Sequence, residues 1–236
     1  MARRPDTDPV IELRGVEKHY TMGEFTVKAL QGINLKIHPG DYISILGPSG
    51  GGKSTMLNIL GCLDQPTIGE YFLSGSDVSR LSDDDLSKVR GKELGFIFQS
   101  YNLIQQLTVV ENIEVPLYYQ GVSEKESREI ATDLATKVGL GTRLDHRPNE
   151  LSGGQQQRVA IARSLSCDPA VILADEATGN LDSKSGGDIL RIFDELNAEG
   201  KTLIMITHDE AMAERTSRVI RLKDGEIAFD TYDQPD

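Results

Sequence analysis

Tryptophan is absent from this 236-residue sequence, and cysteine occurs only twice, at Cys62 and Cys167. This pair matches neither a zinc-site spacing nor the disulfide framework of a small secreted domain. We expect both to pack as small buried apolar side chains in a reducing compartment. The sequence also lacks any apolar run near the roughly 20 residues that span a bilayer, and none follows Arg3 and Arg4. These absences predict a soluble protein without a signal peptide.

Basic residues are scarce as well. Lysine and arginine total 25 against 37 aspartates and glutamates, which gives a formal net charge of −12. A general nucleic-acid grip needs a basic face for the phosphate backbone, so this balance argues against one. A local phosphate site is not excluded, because backbone dipoles alone can hold an anion.

The order of elements along the chain is typical of an α/β fold. Three β-rich stretches come first, and the short apolar strands VILAD and TLIMIT later alternate with helices. Such strands are expected to be parallel and covered on both faces. A hairpin is expected at Asp224-Gly225. From about residue 101 to residue 150 the pattern is helical, with a capping-box spacing and apolar residues that recur every four positions along one face. The cap is Ser123 with Glu126, and the face is Ile130, Leu134 and Val138.

The stretch GPSGGGKST matches G-x-x-x-x-G-K-S directly after an apolar strand and directly before a helix. This context predicts a phosphate-binding P-loop rather than a chance glycine-rich turn. Glycine N–H groups wrap the phosphates, Lys53 reaches the terminal ones, and the Ser54 hydroxyl holds Mg²⁺. The candidate nucleotide-binding residues are Gly47, Pro48, Ser49, Gly50, Gly51, Gly52, Lys53, Ser54 and Thr55.

Two carboxylates end the strand VILADE. Adjacent residues of an extended chain point to opposite sides, so Asp175 and Glu176 have different tasks. We expect Asp175 to face the Mg²⁺ of the P-loop and Glu176 to polarise a water as general base. An Asp-Glu pair after a strand is, by itself, usually a solvated turn, and the P-loop reverses that balance.

Gln99 and His208 also follow apolar strands. Each has an ordinary interpretation, as a loop residue or as a structural hydrogen-bonding group. Because parallel strands place their carboxyl ends at one edge of a sheet, both are expected beside the P-loop. There Gln99 could contact Mg²⁺ and the attacking water, and His208 the γ-phosphate.

Together these motifs resemble the ATP-binding subunit of ABC transporters over nearly the whole chain. GPSGGGKST resembles the Walker A motif, VILADE Walker B, and LSGGQ at residues 151–155 the signature motif. The resemblance implies a P-loop NTPase core of mainly parallel sheet with an N-terminal antiparallel β subdomain. It implies a single domain, residues 1–236, with a helical subdomain inserted at roughly residues 100–158. Ala177 stands where the family usually has proline.

The resemblance also implies an assembly and further site residues. Gln99 matches the Q-loop, His208 the switch histidine and Asp182 the D-loop, while Tyr20 is placed to stack on adenine. Two copies would face each other around two molecules of Mg·ATP. Each signature helix would then cap the γ-phosphate held by the other copy, through Ser152, Gly153, Gly154 and Gln155.

A narrower resemblance lies in FIFQSYNLIQQLTVVENIEVPL and NILGCLDQPTIGEY. These look like the branch of lipoprotein-releasing ATPases and macrolide or peptide exporters (MacB and LolD types). The branch implies a permease partner with a large extracytoplasmic domain, and a peripheral position on the cytoplasmic face of the inner membrane. Tyr101, Leu103 and Leu107 would line the groove that receives the permease. Ordinary packing within the helical subdomain explains each of these side chains equally well.

Two other functions use the same ATP chemistry. Some ABC-type ATPases act on nucleic acids, but the acidic balance and the lack of cysteine clusters argue against that class. Another possibility is a nucleotide-gated switch in cell division that moves no cargo, which the sequence separates poorly from transport.

Overall fold

The computed structural model describes residues 7–23 and 25–233, so Arg3 and Arg4 lie outside the described residues. The strands are β1 (Ile11–Met22), β2 (Phe25–Ile37), β3 (Tyr42–Leu46), β4 (Ile68–Leu73), β5 (Ser76–Asp77), β6 (Leu94–Phe98), β7 (Val171–Asp175), β8 (Thr202–Ile206), β9 (Arg218–Lys223) and β10 (Glu226–Asp230). The helices are α1 (Lys53–Leu60), α2 (Asp83–Glu93), α3 (Val109–Tyr119), α4 (Glu124–Lys137), α5 (Gly153–Leu165), α6 (Ser183–Ala198) and α7 (Glu210–Ala213).

The chain divides into two compact units, and the first consists of residues 1–89 and 200–236. Its antiparallel sheet has the order β2-β1-β4-β5, as predicted for the N-terminal part. The second half of β2 alternates buried and exposed residues, which turns Ile33, Leu35 and Ile37 inward. In the same unit β3 pairs in parallel with β8 and β9, and all five of its residues are buried. An uninterrupted apolar strand such as YISIL fits only between covered faces.

The predicted hairpin closes the first unit. Lys223 of β9 faces Glu226 of β10, which leaves a two-residue loop. Both loop residues have positive φ, 52° at Asp224 and 82° at Gly225. A type I′ turn requires this geometry at both central positions, and Asp-Gly is one of the pairs that adopts it readily.

The second unit consists of residues 90–199. Its strands β6 and β7 pair in parallel, with Phe98 opposite Asp175. Helix α5 has a central run, residues 159–162, with no exposed surface, and it packs against α3, α4 and β6. The predicted helices within 100–158 all lie in this unit.

The buried face of α4 differs from the predicted one. Ile130 and Leu134 are only half-buried, whereas Ser127, Ala131 and Ala135 are buried together with Val138. The Ser123 hydroxyl does accept from the Glu126 amide, at 3.4 Å, so the predicted start of the helix is correct. The small side chains let the neighbouring helices α3 and α5 approach closely, and that contact outweighs the burial of the two larger residues.

The two cysteines are both thiols. Cys62 is buried in the core, as expected. Cys167 is only half-buried, so the prediction of full burial is wrong there, although burial still raises the pKa of its thiol.

Candidate functional site

The loop that joins β3 to α1 is shaped by glycines. A Cβ at Gly47 would collide with the carbonyl oxygen of Leu222, and a Cβ at Gly52 would lie 2.8 Å from the carbonyl oxygen of Ala29. Gly52 also has φ 102°, a conformation that other residues avoid. The loop therefore packs against the neighbouring backbone at two positions where only glycine fits.

Lys53 closes this loop on itself. Its Nζ donates to the carbonyl oxygens of Gly47, at 2.6 Å, and Pro48, at 2.9 Å. Ser54 is exposed in the first turn of α1, and that turn contains no acidic residue. The ammonium and the helix N-terminus together make the loop mouth electropositive, which suits an anion.

The β9–β10 hairpin supports the loop from behind, a role that the sequence did not reveal. The Gly225 amide donates to the Gly51 carbonyl at 3.3 Å. Gln31 in turn donates its backbone amide to the Gly225 carbonyl and its Nε2 to the Asp224 carbonyl, each at 2.8 Å. The Asp-Gly pair predicts the hairpin, but nothing in the local sequence predicts that the turn contacts the P-loop.

Tyr20 is half-buried in β1 of the first unit. Its hydroxyl donates to Oδ2 of Asp64 at 3.0 Å, and Lys18 donates to Oδ1 of the same carboxylate at 2.5 Å. Burial and the Asp64 acceptor raise the pKa of Tyr20, while a hydrogen bond with Thr55 lowers it. Tyr20 is thus held beside the predicted nucleotide-binding residue Thr55, and its stacking on adenine stays a prediction.

His208 is exposed in the turn between β8 and α7. The Thr207 hydroxyl fixes this turn by accepting from the Asp209 amide at 3.0 Å. The next residue, Glu210, forms a bidentate ion pair with Arg221 of β9. Arg221 Nη1 donates to Oε1 at 2.5 Å, and Nη2 donates to Oε2 at 2.7 Å. This pair lowers the pKa of Glu210 through the hydrogen bonds of the guanidinium.

In the second unit the parallel pairing of β6 and β7 brings Gln99 beside the Asp175-Glu176 turn. Gln99 Nε2 donates to Oδ1 of Asn180 at 3.2 Å, and Asn180 Nδ2 returns a bond to the Gln99 carbonyl at 3.1 Å. Glu176 is in the left-handed region with φ 45°, a strained conformation for a residue with a side chain. The two predicted catalytic groups of this unit therefore follow the paired carboxyl ends of β6 and β7, at the same edge of the sheet.

The signature segment begins α5. The Ser152 hydroxyl accepts from the Gln155 amide at 3.4 Å, and Gln155 Oε1 accepts from the Ser152 amide at 2.9 Å. A Cβ at Gly153 would lie 2.8 Å from the Tyr101 hydroxyl, and one at Gly154 would lie 3.1 Å from Cβ of Ser185. A side chain at either glycine would displace Tyr101 or Ser185, so the glycines also contribute to packing within the chain, in addition to any anion they bind.

Asp182 caps α6. Its Oδ1 accepts from the amides of Lys184 and Ser185, each at 3.0 Å, and its Oδ2 accepts from the Ser185 hydroxyl at 2.7 Å. These bonds, the Ser185 amide first, hold the pKa of Asp182 below its ordinary value. The predicted D-loop carboxylate is therefore ionised and fixed at a helix start.

The segment after Gln99 was predicted to form a docking groove. Tyr101 and Asn102 have φ 61° and 49°, and Arg163 holds both by donating to their carbonyl oxygens at 2.8 and 2.6 Å. Leu103 is buried, Leu107 is half-buried, and the exposed apolar side chain is Ile104. An arginine within an amphipathic helix normally faces water, so the sequence carried no sign of this role.

Comparison with known proteins gives a consistent result. The family described as ABC transporter matches residues 30–179. An uncharacterized ABC transporter ATP-binding protein of Thermotoga maritima is 53% identical over 92% of this chain and 93% of its own length. The macrolide export ATP-binding/permease protein MacB of Hyphomonas neptunium is 50% identical over 95% of this chain, which spans only 35% of that relative.

Solved structures share the fold. A dimeric ATP-binding cassette in a post-hydrolysis state, bound to ADP and Pi, has a TM-score of 0.84 and 47% identity over 93% of this chain and 97% of its own. A subunit of an ABC transporter complex from Clostridium perfringens has the same TM-score at 27% identity, over 95% and 88%. These likenesses confirm the predicted P-loop NTPase fold. With identities near one half across almost the whole length, the chain belongs to the ABC transporter family and is one of its ATP-binding, ATP-hydrolysing subunits.

Proposed function

We propose that two copies of this chain pair on ATP and thereby drive an export permease. The start of α5 carries the proposal, because a serine cap and two glycines open a helix whose first turn has no acidic residue. A helix N-terminus of this kind attracts a multiply charged phosphate. The chain has its own phosphate loop before α1, so the second anion site serves the nucleotide of the other copy.

Within each copy, residues 47–55 hold the phosphates through backbone N–H groups, and Lys53 exchanges its two carbonyl bonds for phosphate oxygens. Tyr20 packs on the base. Bound Mg²⁺ supplies neutralisation of the β- and γ-phosphate charge. Ser54, Asp175 and Gln99 offer it hydroxyl, carboxylate and amide oxygens, and hard oxygen donors of this kind suit that ion when phosphates complete the shell.

Hydrolysis proceeds by attack of water on the γ-phosphorus of ATP, and the bond from that phosphorus to the β,γ-bridging oxygen breaks as ADP leaves. Glu176 takes the proton of that water, Gln99 orients it, and His208 contacts the γ-phosphate. Ser152, Gly153, Gly154, Gln155 and Asp182 of one copy complete the site of the other. Loss of the γ-phosphate removes the bridge, and the two copies separate.

The permease is a separate recognition problem. No helix in the described part of the chain is long and apolar enough to cross a membrane. The permease docks on residues 101–107, where Ile104 presents its apolar side chain, 41% exposed. The names of the MacB relatives combine ATP binding with macrolide export, which supports an exporter. Lipoprotein, peptide or drug substrates are the cargo that we propose for it. The chain then lies at the cytoplasmic face of the inner membrane, and its permease carries an extracytoplasmic domain.

The experiment is the Glu176→Gln variant with saturating Mg·ATP. Removal of a positioned general base lowers the hydrolysis rate by about 10²–10⁴-fold. We expect the variant to accumulate as an ATP-bound dimer on gel filtration. Glu195→Gln, an exposed carboxylate of α6, is the matched control and keeps the wild-type rate. A Glu176→Gln protein that stays monomeric under saturating Mg·ATP contradicts the paired site.

Co-purification tests the permease. The tagged chain is isolated from its native cells in mild detergent, and mass spectrometry identifies what accompanies it. A membrane protein with an extracytoplasmic domain is the expected result. Recovery of DNA-repair or ribosomal factors in its place overturns the transporter proposal while leaving the ATP chemistry intact.

A further inference from the structure

One buried glutamine of α5 has no role in the proposed nucleotide chemistry. Gln157 has no exposed surface. Its Nε2 donates to the carbonyl oxygen of Ala177 at 2.7 Å. Its Oε1 is buried and has no hydrogen-bond partner among residues 7–23 and 25–233.

An unpartnered buried amide oxygen is unfavourable, and such groups are rare in native proteins. An apolar residue of similar size would fill the same space without that penalty. The single useful bond that the side chain makes therefore accounts for a glutamine at this position. That bond ends on the turn that carries the proposed general base.

The turn that follows β7 contains a strained residue, so contacts from neighbouring residues must stabilise it. Ala177 is 3% exposed and directly follows Glu176, whose φ of 45° persists only where neighbouring structure enforces it. The Gly179 amide donates to the Glu176 carbonyl at 2.9 Å. Gln157 donates to the next carbonyl, that of Ala177. The two bonds fix the two consecutive carbonyl groups that follow the strained Cα of Glu176.

The opposite end of the connection is the signature motif. Gln157 lies in the second turn of α5, and Ser152 caps the same helix. A helix transmits a displacement of its N-terminus along its length because its backbone bonds are continuous. Any shift of the capped end therefore reaches the Ala177 carbonyl through one side chain.

We propose that Gln157 is a positioning residue that couples the signature helix to the general base of the same chain. When the start of α5 is seated on the nucleotide of the other copy, Gln157 holds the Glu176 side chain in the orientation for proton transfer. This inference rests on the proposed function, because it assumes that Glu176 is the base and that α5 receives a phosphate.

The test is a double-mutant cycle of Gln157→Leu with Glu176→Gln. Misplacement of a catalytic group by about 1 Å costs about 100-fold in rate, so we expect Gln157→Leu to lower kcat by about 10- to 100-fold. The KM for ATP stays within about twofold, since the P-loop is untouched. In the Glu176→Gln background, Gln157→Leu has no further effect, because the residue acts only through Glu176.

Two controls separate positioning from a general structural role. Ser164→Ala removes another buried polar group of α5, a hydroxyl that donates to the Ile161 carbonyl of the same helix, and keeps the wild-type kcat. Hydrogen exchange of the Gly179 amide is faster in Gln157→Leu than in Ser164→Ala, and this readout does not depend on activity. Gln157→Met replaces Gln157→Leu if the latter does not fold.

The outcomes are distinct. A Gln157→Leu protein with wild-type kcat and unchanged Gly179 exchange overturns the positioning role. A further loss of rate in the Glu176→Gln background also overturns it. A Glu176→Gln protein with the wild-type rate overturns the proposed function instead, and the Gly179 exchange then decides alone whether Gln157 holds the turn.

Discussion

At the scale of single residues, some glycines are demanded by close backbone contacts and others are not. An added Cβ would collide with a carbonyl oxygen at Gly47 and would lie 2.8 Å from one at Gly52. Gly187, in the body of α6, has nothing within 4 Å of an added Cβ and no positive φ. Glycine in a helix interior is unfavourable relative to alanine, mainly because the unfolded chain is freer.

Gly187→Ala should therefore stabilise the protein by about 0.4–1 kcal/mol. Calorimetric unfolding is the measurement, and a higher midpoint is the expected result. Gly95→Ala is the contrasting variant, because its Cβ would collide with the carbonyl oxygen of Ser164. That variant should unfold at a lower temperature. A fall in the midpoint of Gly187→Ala would mean that the helix is constrained there by something other than space.

The lowered pKa of the Asp182 carboxylate can be measured directly. Its pKa lies below the ordinary value because the Ser185 amide, the Ser185 hydroxyl and the Lys184 amide all donate to it. The stabilisation that follows is present above the ordinary aspartate pKa and is lost as the pH falls through the lower folded value. A ¹³C NMR titration should show Asp182 titrating low, and Ser185→Ala should move its pKa upward. An unchanged pKa in that variant contradicts the assigned cause.

At the scale of elements, one buried side chain organises the segment that we propose as the docking site. Asn112 of α3 has no exposed surface and bonds to the backbone of Ile104 in both directions, at 2.8 and 3.1 Å. It also donates to the carbonyl oxygens of Leu107 and Thr108, at 3.1 and 2.9 Å. The segment thus has a fixed shape although it lacks regular secondary structure.

Asn112→Ala should destabilise the protein by about 1–3 kcal/mol, because the part-buried backbone groups of Ile104 and Leu107 lose the side chain that bonds to them. Denaturant unfolding measures the loss, and hydrogen exchange should show the Ile104 amide exchanging faster. Gln106→Ala, at an exposed position of the same segment, serves as control and changes neither quantity. Equal stability of the two variants would contradict the organising role of Asn112.

The sequence predicted those elements that carry a local signal. A short motif of consecutive residues specifies each of three elements: the strand–loop–helix of the P-loop, the Asp224-Gly225 hairpin and the start of α5. Helix α2 was not recognised, because Leu86 is its only buried residue and it shows no apolar stripe. Its start was nonetheless readable from Ser82, which accepts from the Asp85 amide, and from three aspartates in the first turn.

The candidate site followed the same division. Residue types and motif order sufficed to nominate Gln99, Glu176 and His208. The contacts around them could not be predicted, because Asn180 bonds to Gln99, Gln157 to Ala177 and Arg221 to Glu210, each between segments distant in sequence. Hydrophobic periodicity also misplaced the face of α4, since it ranks residues by size while close helix packing favours small ones.

At the scale of the whole molecule, the acidic balance and the family point the same way. A net charge of −12 is unfavourable for contact with a nucleic-acid backbone, and the matched relatives are transporter subunits by name. In the proposed function, the phosphate chemistry is concentrated in two short segments, residues 47–55 and 151–155. Both would rely on backbone dipoles at a helix start, which attract an anion even where the net charge of the protein is negative.

The cap of α5 decides which substitutions of Ser152 can separate helix stability from phosphate binding. In that cap the Ser152 oxygen is an acceptor, and a hydroxyl that accepts still has its own proton to donate. One atom thus secures the helix of its own copy and keeps a donor for a phosphate held elsewhere. A variant without this serine should therefore lose both the cap of α5 and the proposed donor to the phosphate of the other copy. Ser152→Asp separates them, because a carboxylate preserves the cap but repels the phosphate.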